Sequence, residues 1–149
     1  VPVLADLSGE ALLCAARAGA EIVKPNELEL AEATGAATLD AGTAILRELG
    51  ATGIVVSRGS RDLWGTDGRQ SHTVPAIPGI AGNPTGAGDA ATAGLLSALA
   101  RGATFLEGLR HASALGAAAV LNPVAGEVDP QTYARLLDTY SDPHDGAAR

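Results

Sequence analysis

The sequence predicts an α/β fold in which a mostly parallel sheet is flanked by helices. Short runs rich in Val and Ile alternate with longer segments whose apolar residues follow helical spacing, and glycines separate the two kinds of segment. Ala supplies much of the 46% hydrophobic content, with one Trp, one Phe and no Met, so we expect closely packed helices. A length of 149 residues fits a single domain.

The first half of the chain predicts two β-then-α units. A short buried strand ends at Asp6, and a helix runs from the N-cap Ser8 through Arg17 to a stop at Gly19. The second strand runs from Glu21 to Lys24 and ends at Pro25, because proline cannot continue a strand ladder. A short helix, 27–33, and a longer one, 39–49, then end at Gly35 and Gly50.

The second half begins with a β-branched strand, 53–57, of the kind found in the centre of a parallel sheet. Asp67-Gly68 then predicts a hairpin with a tight type I′ turn, in which Trp64 packs rather than stacks on a base. A loop from Pro75 to Gly88 leads to a helix, 90–100, that is apolar almost all round and therefore predicted to be buried. Two more helices follow, one ending near Val120 and one around Tyr133, before a polar tail.

Charge and composition exclude several functions. A net charge of −7 argues against binding to nucleic acid or to an anionic membrane surface, because both need a basic face. The single cysteine, Cys14, allows no internal disulfide, and the absence of a long apolar run or signal peptide predicts a cytoplasmic protein. His72, His111 and His144 lack ligand spacing, so we expect solvated histidines and no zinc site.

The most informative stretch is a glycine-rich loop, 82–88, that leads directly into the helix beginning near Ala90. Small residues let backbone N–H groups approach an anion, and the helix N-terminus adds positive potential, so phosphate is the expected ligand. Asp89 beside such a site suggests a general base. The alternative is that Asp89 is simply the N-cap of the helix.

Two other phosphate motifs fit this loop less well. A Walker loop requires Lys after its last glycine, where this chain has Asp89. The stretch from Gly86 to Ala91 matches the dinucleotide pattern Gly-x-Gly-x-x-Ala, which makes a dinucleotide-dependent oxidoreductase an alternative function. The absence of an apolar strand before this stretch counts against that alternative.

A second polar constellation, Lys24-Pro25-Asn26-x-x-Glu29, follows a predicted parallel strand, where open α/β sheets bind ligands. Asn26 and Glu29 lie three positions apart and can offer oxygens to a hydrated Mg²⁺, while Lys24 can meet a phosphate. The alternative reading is ordinary helix-start chemistry.

These motifs together resemble the ribokinase-like, or phosphofructokinase-B-type, carbohydrate kinases. The resemblance covers nearly the whole chain and rests on three motifs in the family's order. They are Lys24-Pro25-Asn26-x-x-Glu29, Ile54-Val55-Val56-Ser57-Arg58-Gly59, and Gly86-Ala87-Gly88-Asp89 followed by Ala93-Gly94.

The resemblance implies a role for each matching residue. Gly86, Ala87 and Gly88 would form an anion hole for the transferring phosphoryl group of ATP, and Asp89 would be the catalytic base. Asn26 and Glu29 would organise Mg²⁺ and the phosphates, with Lys24 nearby. The nucleotide loop would comprise Ser57, Arg58, Gly59 and Ser60, and Asn122 would contact adenine.

The resemblance also indicates a substrate class. Asn83-Pro84-Thr85 replaces the Asp-Thr pair that many sugar kinases of the family use in a monovalent-cation site, so activation by K⁺ is not implied. The Asn83-Pro84 start together with Val23-Lys24-Pro25-Asn26 looks closer to the branch acting on sugar phosphates, such as 1-phosphofructokinase and tagatose-6-phosphate kinase. The expected partner is therefore a small sugar or sugar phosphate, with a possible homodimer of the full-length protein.

We further expect the chain to be the C-terminal, nucleotide-binding part of one ribokinase-like domain, without the N-terminal sugar-binding portion and lid. The first residue is not Met, and the chain begins at a predicted strand. The alternative is a catalytically silent nucleotide-binding fragment. In either case the sequence does not identify the sugar.

Overall fold

A computed structural model of the chain describes residues 3–141. These residues form two compact units, divided in the sequence between Ala76 and Ile77. The first unit contains all five strands and three helices, and the second contains three helices.

A single five-stranded sheet in the order β1-β2-β3-β4-β5 organises the first unit. Its strands are β1 (Leu4–Ala5), β2 (Ile22–Val23), β3 (Gly53–Ser57), β4 (Asp62–Thr66) and β5 (Ser71–Pro75). The first three strands are parallel, with Leu4 opposite Ile22 and Ile22 opposite Gly53, and the last two form an antiparallel hairpin. The predicted α/β fold is confirmed, although β1 is half-buried and not fully buried as the sequence suggested.

Three helices complete the first unit: α1 (Gly9–Arg17), α2 (Glu27–Thr34) and α3 (Leu39–Leu49). They pack on one another and against β2 and β3 around a core of aliphatic side chains. Leu12, Leu46 and Ile54 are fully buried in this core, and Trp64 packs against it as expected. This packing fixes the carboxyl ends of β2 and β3, where two of the candidate motifs begin.

The hairpin between β4 and β5 corrects one expectation. Asp67 was predicted to start a type I′ turn, which needs positive φ at both central residues. The observed connection is a four-residue loop from Asp67 to Gln70, and in residues 3–141 only glycines, Gly68 among them, have positive φ. The Asp67 carboxylate instead accepts hydrogen bonds from the N–H groups of Arg69 and Gln70 and so supports the wider loop.

The second unit consists of α4 (Ala87–Ala100), α5 (Phe105–Leu121) and α6 (Pro130–Asp138). Helix α4 begins three residues before the predicted start, and the prediction that it is buried on all sides is wrong within this chain. Only one face is buried, formed by Ala90, Gly94, Leu95 and Ala98. Small residues bring α4 and α5 together, because a Cβ at Gly94 would lie 2.7 Å from the carbonyl oxygen of His111.

Helix α6 lies on α5 and is held by side-chain hydrogen bonds. His111 Nδ1 contacts the Tyr133 hydroxyl, and the Ser113 and Tyr140 hydroxyls are 2.7 Å apart. His111 is therefore half-buried between helices, and its assignment as a solvated histidine was wrong. His144 lies outside the described residues. No helix within residues 3–141 is long and apolar enough to span a membrane.

Candidate active site

The glycine-rich loop of the second unit ends in a left-handed residue that starts α4. Gly86 is the N-cap with φ 84°, a conformation that favours glycine, and no side chain caps the helix. The N–H groups of Gly88 and Asp89 belong to the first turn, whose amides the helix itself cannot satisfy. Backbone donors are thus concentrated at the start of α4, as an anion site requires.

Asp89 is the third residue of α4, and its side chain is exposed. The alternative reading of Asp89 as N-cap is wrong, because Gly86 occupies that position. Its carboxylate lies in the first turn of the helix, beside the first-turn amides, and is accessible to solvent.

The glycine-rich loop lies directly against the last residues of α5 and the residues after it, segment 120–126. Asn83 N donates to the Val120 carbonyl at 2.9 Å, and a Cβ at Gly86 would lie 2.8 Å from Gly126 N. Asn122 is the C-cap of α5, is half-buried, and accepts a hydrogen bond from Val124 N at 2.9 Å. The structure therefore brings Asn122 into the segment beside Gly86-Ala87-Gly88.

In the first unit, Asn26 and Glu29 form a reciprocal capping box at the start of α2. Asn26 Oδ1 accepts from Glu29 N at 2.8 Å, and Glu29 Oε2 accepts from Asn26 N at 2.8 Å. The helix-start interpretation of these residues is therefore confirmed. It does not exclude a role in metal binding, because the second carboxylate oxygen of Glu29 takes no part in the capping box.

The side chain of Lys24 forms an ion pair that was not predicted from the sequence. This side chain is 5% exposed, and its Nζ lies 2.9 Å from Oδ2 of Asp6, at the end of β1. An ordered phosphate would compete with this carboxylate for the ammonium group. One signal in the sequence could have predicted this pair. Asp6 and Lys24 each lie at the end of a predicted strand, and the ends of neighbouring parallel strands lie side by side.

The segment 57–60 begins at the last residue of β3 and is adjacent to Asn26. Ser57 and Asn26 form an isolated parallel bridge, and Ser57 N donates to the Pro25 carbonyl at 3.2 Å. Gly59 turns the chain with φ 62°, and both Gly59 and Ser60 are exposed. Lys24, Asn26 and Ser57 thus lie at the carboxyl ends of β2 and β3.

Arg58 makes a contact that the sequence did not suggest. Its Nε and a terminal nitrogen each lie 2.6 Å from one oxygen of Asp62, and this bidentate hydrogen bonding raises the pKa of Arg58. Arg61 pairs with Glu27 at the start of α2. The guanidinium of Arg58 is therefore held by Asp62 at the turn between β3 and β4.

Comparison with known proteins identifies the family. The profile of the pfkB family carbohydrate kinases matches residues 1–132. The chain belongs to the pfkB family. This agrees with the three ordered motifs, two of which lie in the first unit and one in the second.

Individual relatives give the pfkB assignment more detail. The chain is 37% identical over 92 residues to a cytidine kinase of Thermococcus kodakarensis, a match that covers 60% of this chain and 33% of that protein. The phosphofructokinase-2 of Escherichia coli superposes with a TM-score of 0.85 at 29% identity, covering 93% of this chain and 47% of that one. A ribokinase of Arabidopsis thaliana, solved with ribose and ATP, superposes at 0.76 and 28% identity, covering 92% and 47%.

The chain is short relative to these relatives. It spans a third of the cytidine kinase and about half of each of the two solved kinases. The relatives are kinases for a nucleoside, a sugar phosphate and a sugar, so they agree on phosphoryl transfer and differ in the acceptor.

The side-chain oxygens at the start of α2 are compatible with binding Mg²⁺ that a nucleotide carries. Asn26 and Glu29 offer amide and carboxylate oxygens, which are the hard ligands that Mg²⁺ prefers. Within residues 3–141 no cluster of three or more His, Cys, Asp or Glu side chains could hold a metal ion. Water and phosphate oxygens would therefore have to complete the coordination, which is usual for Mg²⁺ bound with ATP.

Proposed function

We propose that the complete protein carrying this chain transfers the γ-phosphoryl group of ATP to a hydroxyl group of a sugar or sugar phosphate, with Asp89 as general base. The observation that carries the proposal is the exposed Asp89 carboxylate in the first turn of α4, directly after the glycine N-cap Gly86. Membership of the pfkB family supports the reaction class.

The proposed roles of the second unit follow from its chemistry. Asp89 accepts the proton of the acceptor hydroxyl as that oxygen attacks phosphorus. The backbone amides at Gly86-Ala87-Gly88 stabilise the negative charge that develops on the phosphoryl oxygens. Such stabilisation and positioning account for most of the catalysis of phosphoryl transfer, in which the protein forms no covalent bond. Asn122 is proposed to contact adenine.

The first unit is proposed to serve the nucleotide and its metal. Asn26 and Glu29 bind Mg²⁺ through water or directly, and Mg²⁺ neutralises phosphate charge when it is bound. Ser57, Arg58, Gly59 and Ser60 form the nucleotide loop. For Arg58 this role rests on its backbone, since its side chain is held by Asp62. Lys24 remains a candidate for phosphate contact only if a phosphate displaces Asp6 from it.

The acceptor is proposed to be a hexose phosphate of the 1-phosphofructokinase type. The sequence around Asn83 supports this branch, and the similarity to the phosphofructokinase-2 of Escherichia coli supports a phosphorylated sugar. The similarity to a cytidine kinase makes a nucleoside the competing acceptor. The chain spans about half of the solved kinases, so we propose that residues outside it are needed to bind the acceptor.

The experiment is an ADP-release assay on the complete protein with ATP and Mg²⁺. Acceptors are fructose 1-phosphate, fructose 6-phosphate, tagatose 6-phosphate, ribose and cytidine, and residues 1–149 alone are assayed in parallel. We expect turnover with one of the sugar phosphates and at least about tenfold less from residues 1–149, because phosphoryl transfer needs a positioned acceptor. Turnover with cytidine alone would move the acceptor class to nucleosides.

Two results would overturn the proposal. ATP binding without turnover of any acceptor would favour the silent nucleotide-binding alternative. Quenching of Trp64 fluorescence by NAD and not by ATP would favour a dinucleotide-dependent oxidoreductase.

A further inference from the structure

We infer that Asn83 is a positioning residue that holds the glycine-rich loop in register with segment 120–126. Three of its groups take part. Its backbone N–H donates to the Val120 carbonyl at 2.9 Å. Its Oδ1 accepts from Thr85 N at 3.1 Å, and its Nδ2 donates to the Pro123 carbonyl at 3.4 Å.

The glycines on either side show how closely the two segments lie. A Cβ at Gly82 would be 2.1 Å from the Val120 carbonyl oxygen, and a Cβ at Gly86 would be 2.8 Å from Gly126 N. Backbone therefore lies directly on backbone before and after Asn83. Between these two points, the half-buried side chain of Asn83 supplies the hydrogen bond that links the loop to Pro123.

The same side chain also shapes the loop itself. The bond from Thr85 N to Oδ1 closes a turn immediately before Gly86, the N-cap of α4. Any rotation of this turn moves the first-turn amides of Gly88 and Asp89, which follow within four residues. Asn83 contacts Val120, Thr85 and Pro123 and would act through the position of these amides.

This inference rests on the proposed function, because a displaced anion hole matters only if phosphoryl transfer occurs there. A misplacement of about 1 Å can cost on the order of 100-fold in rate. Loss of the Asn83 side chain should therefore lower kcat strongly while it changes the free energy of unfolding little.

The test compares two variants of the complete protein. Asn83→Ala removes both side-chain contacts, whereas Asn83→Asp keeps the acceptor for Thr85 N and loses the donor to Pro123. We expect kcat to fall about 10- to 100-fold in Asn83→Ala and by a smaller factor in Asn83→Asp, with the acceptor KM within about twofold of wild type. Asp67→Ala, which removes a side-chain-supported turn from the hairpin of the other unit, is the matched control and should keep wild-type kcat.

A second readout does not depend on catalysis. Backbone hydrogen exchange at Thr85, whose N–H donates to Asn83 Oδ1, and at Ala87, whose N–H donates to the Pro84 carbonyl, should accelerate in Asn83→Ala and stay at the wild-type rate in Asp67→Ala. If Asn83→Ala keeps more than half of wild-type kcat, or if exchange at Thr85 and Ala87 is unchanged, the positioning role is wrong. If exchange accelerates but Asp89→Asn remains active, the positioning role stands and the proposed general base fails.

Discussion

Lys24 Nζ and Asp6 Oδ2 lie 2.9 Å apart at the carboxyl ends of two neighbouring parallel strands, β2 and β1. The ammonium group is almost fully buried, while the Asp6 side chain is one-third exposed. Lys24 N also donates to the Ala5 carbonyl at 2.9 Å, so main chain and side chain both connect the two strands. This pairing gives Lys24 a structural function that is separate from any contact with phosphate.

Lys24→Met should therefore lower the free energy of unfolding, by about 1–3 kcal/mol, because it deprives a partly buried carboxylate of its charged partner. A double-mutant cycle with Asp6→Asn, followed by urea unfolding, measures the coupling between the two side chains. A coupling near zero, together with weaker ATP binding in Lys24→Met, would show that the ammonium serves a phosphate instead.

Glu29→Gln separates the capping and metal roles of the Asn26–Glu29 motif. Glutamine keeps an oxygen that can accept from Asn26 N, so stability should change by less than about 0.5 kcal/mol. The lost charge should raise the Mg²⁺ concentration needed for half-maximal activity several-fold. Glu107→Gln is the matched control, because Glu107 forms the same capping box with Thr104 at the start of α5. An equal Mg²⁺ response in the two variants would leave only a capping role for Glu29.

Gly88→Ala tests the anion hole without disturbing the fold. A Cβ at Gly88 has no neighbour within 4 Å, and alanine favours a helix, so stability should be unchanged or rise by up to about 1 kcal/mol. The new methyl group beside the first-turn amides should lower kcat at least about tenfold.

Gly94→Ala should have the opposite pattern. Its Cβ would lie 2.7 Å from the His111 carbonyl oxygen, so the helices must separate at a cost of about 1–3 kcal/mol. Thermal unfolding of both glycine variants beside their kinetics checks the contrast. A Gly88→Ala protein with full activity would argue against an anion hole at this position.

His111 makes the second unit sensitive to mild acid. Burial, assisted by the charge of Arg101 and opposed by that of Glu107, lowers the pKa of His111 below its ordinary value of 6.5. The unfolded chain then binds the proton more readily, so stability present above pH 6.5 is lost as pH falls toward the lower folded pKa. Urea unfolding at pH 7.5 and pH 5.5 should show a smaller pH dependence in His111→Gln than in wild type; equal pH dependence would contradict this.

Local sequence signals predicted most elements and the three segments that carry motifs. The helix ends at Gly35 and Gly50 and the β-branched strand 53–57 lie where they were expected, because glycine stops and β-branched runs act over a few residues. The type I′ turn was wrong because it needs positive φ at two residues, and in the loop 67–70 only Gly68 has it; the Asp67 side chain supports a wider loop.

Contacts between distant residues could not be predicted from spacing. Asp6 as partner of Lys24 and Tyr133 as partner of His111 depend on how strands and helices pack. The sequence also offered Asp89 as either N-cap or base, and only the position of Gly86 at the N-cap removed the first choice.

The most direct test of the account is the turnover of Asp89→Asn in the complete protein. The change keeps the size and hydrogen-bonding capacity of the side chain and removes the base, so kcat should fall about 100-fold or more while the affinity for ATP stays near wild type. Steady-state ADP release and equilibrium ATP binding measure the two quantities on the same preparation. If Asp89→Asn retains more than about a tenth of wild-type kcat, Asp89 is not the general base.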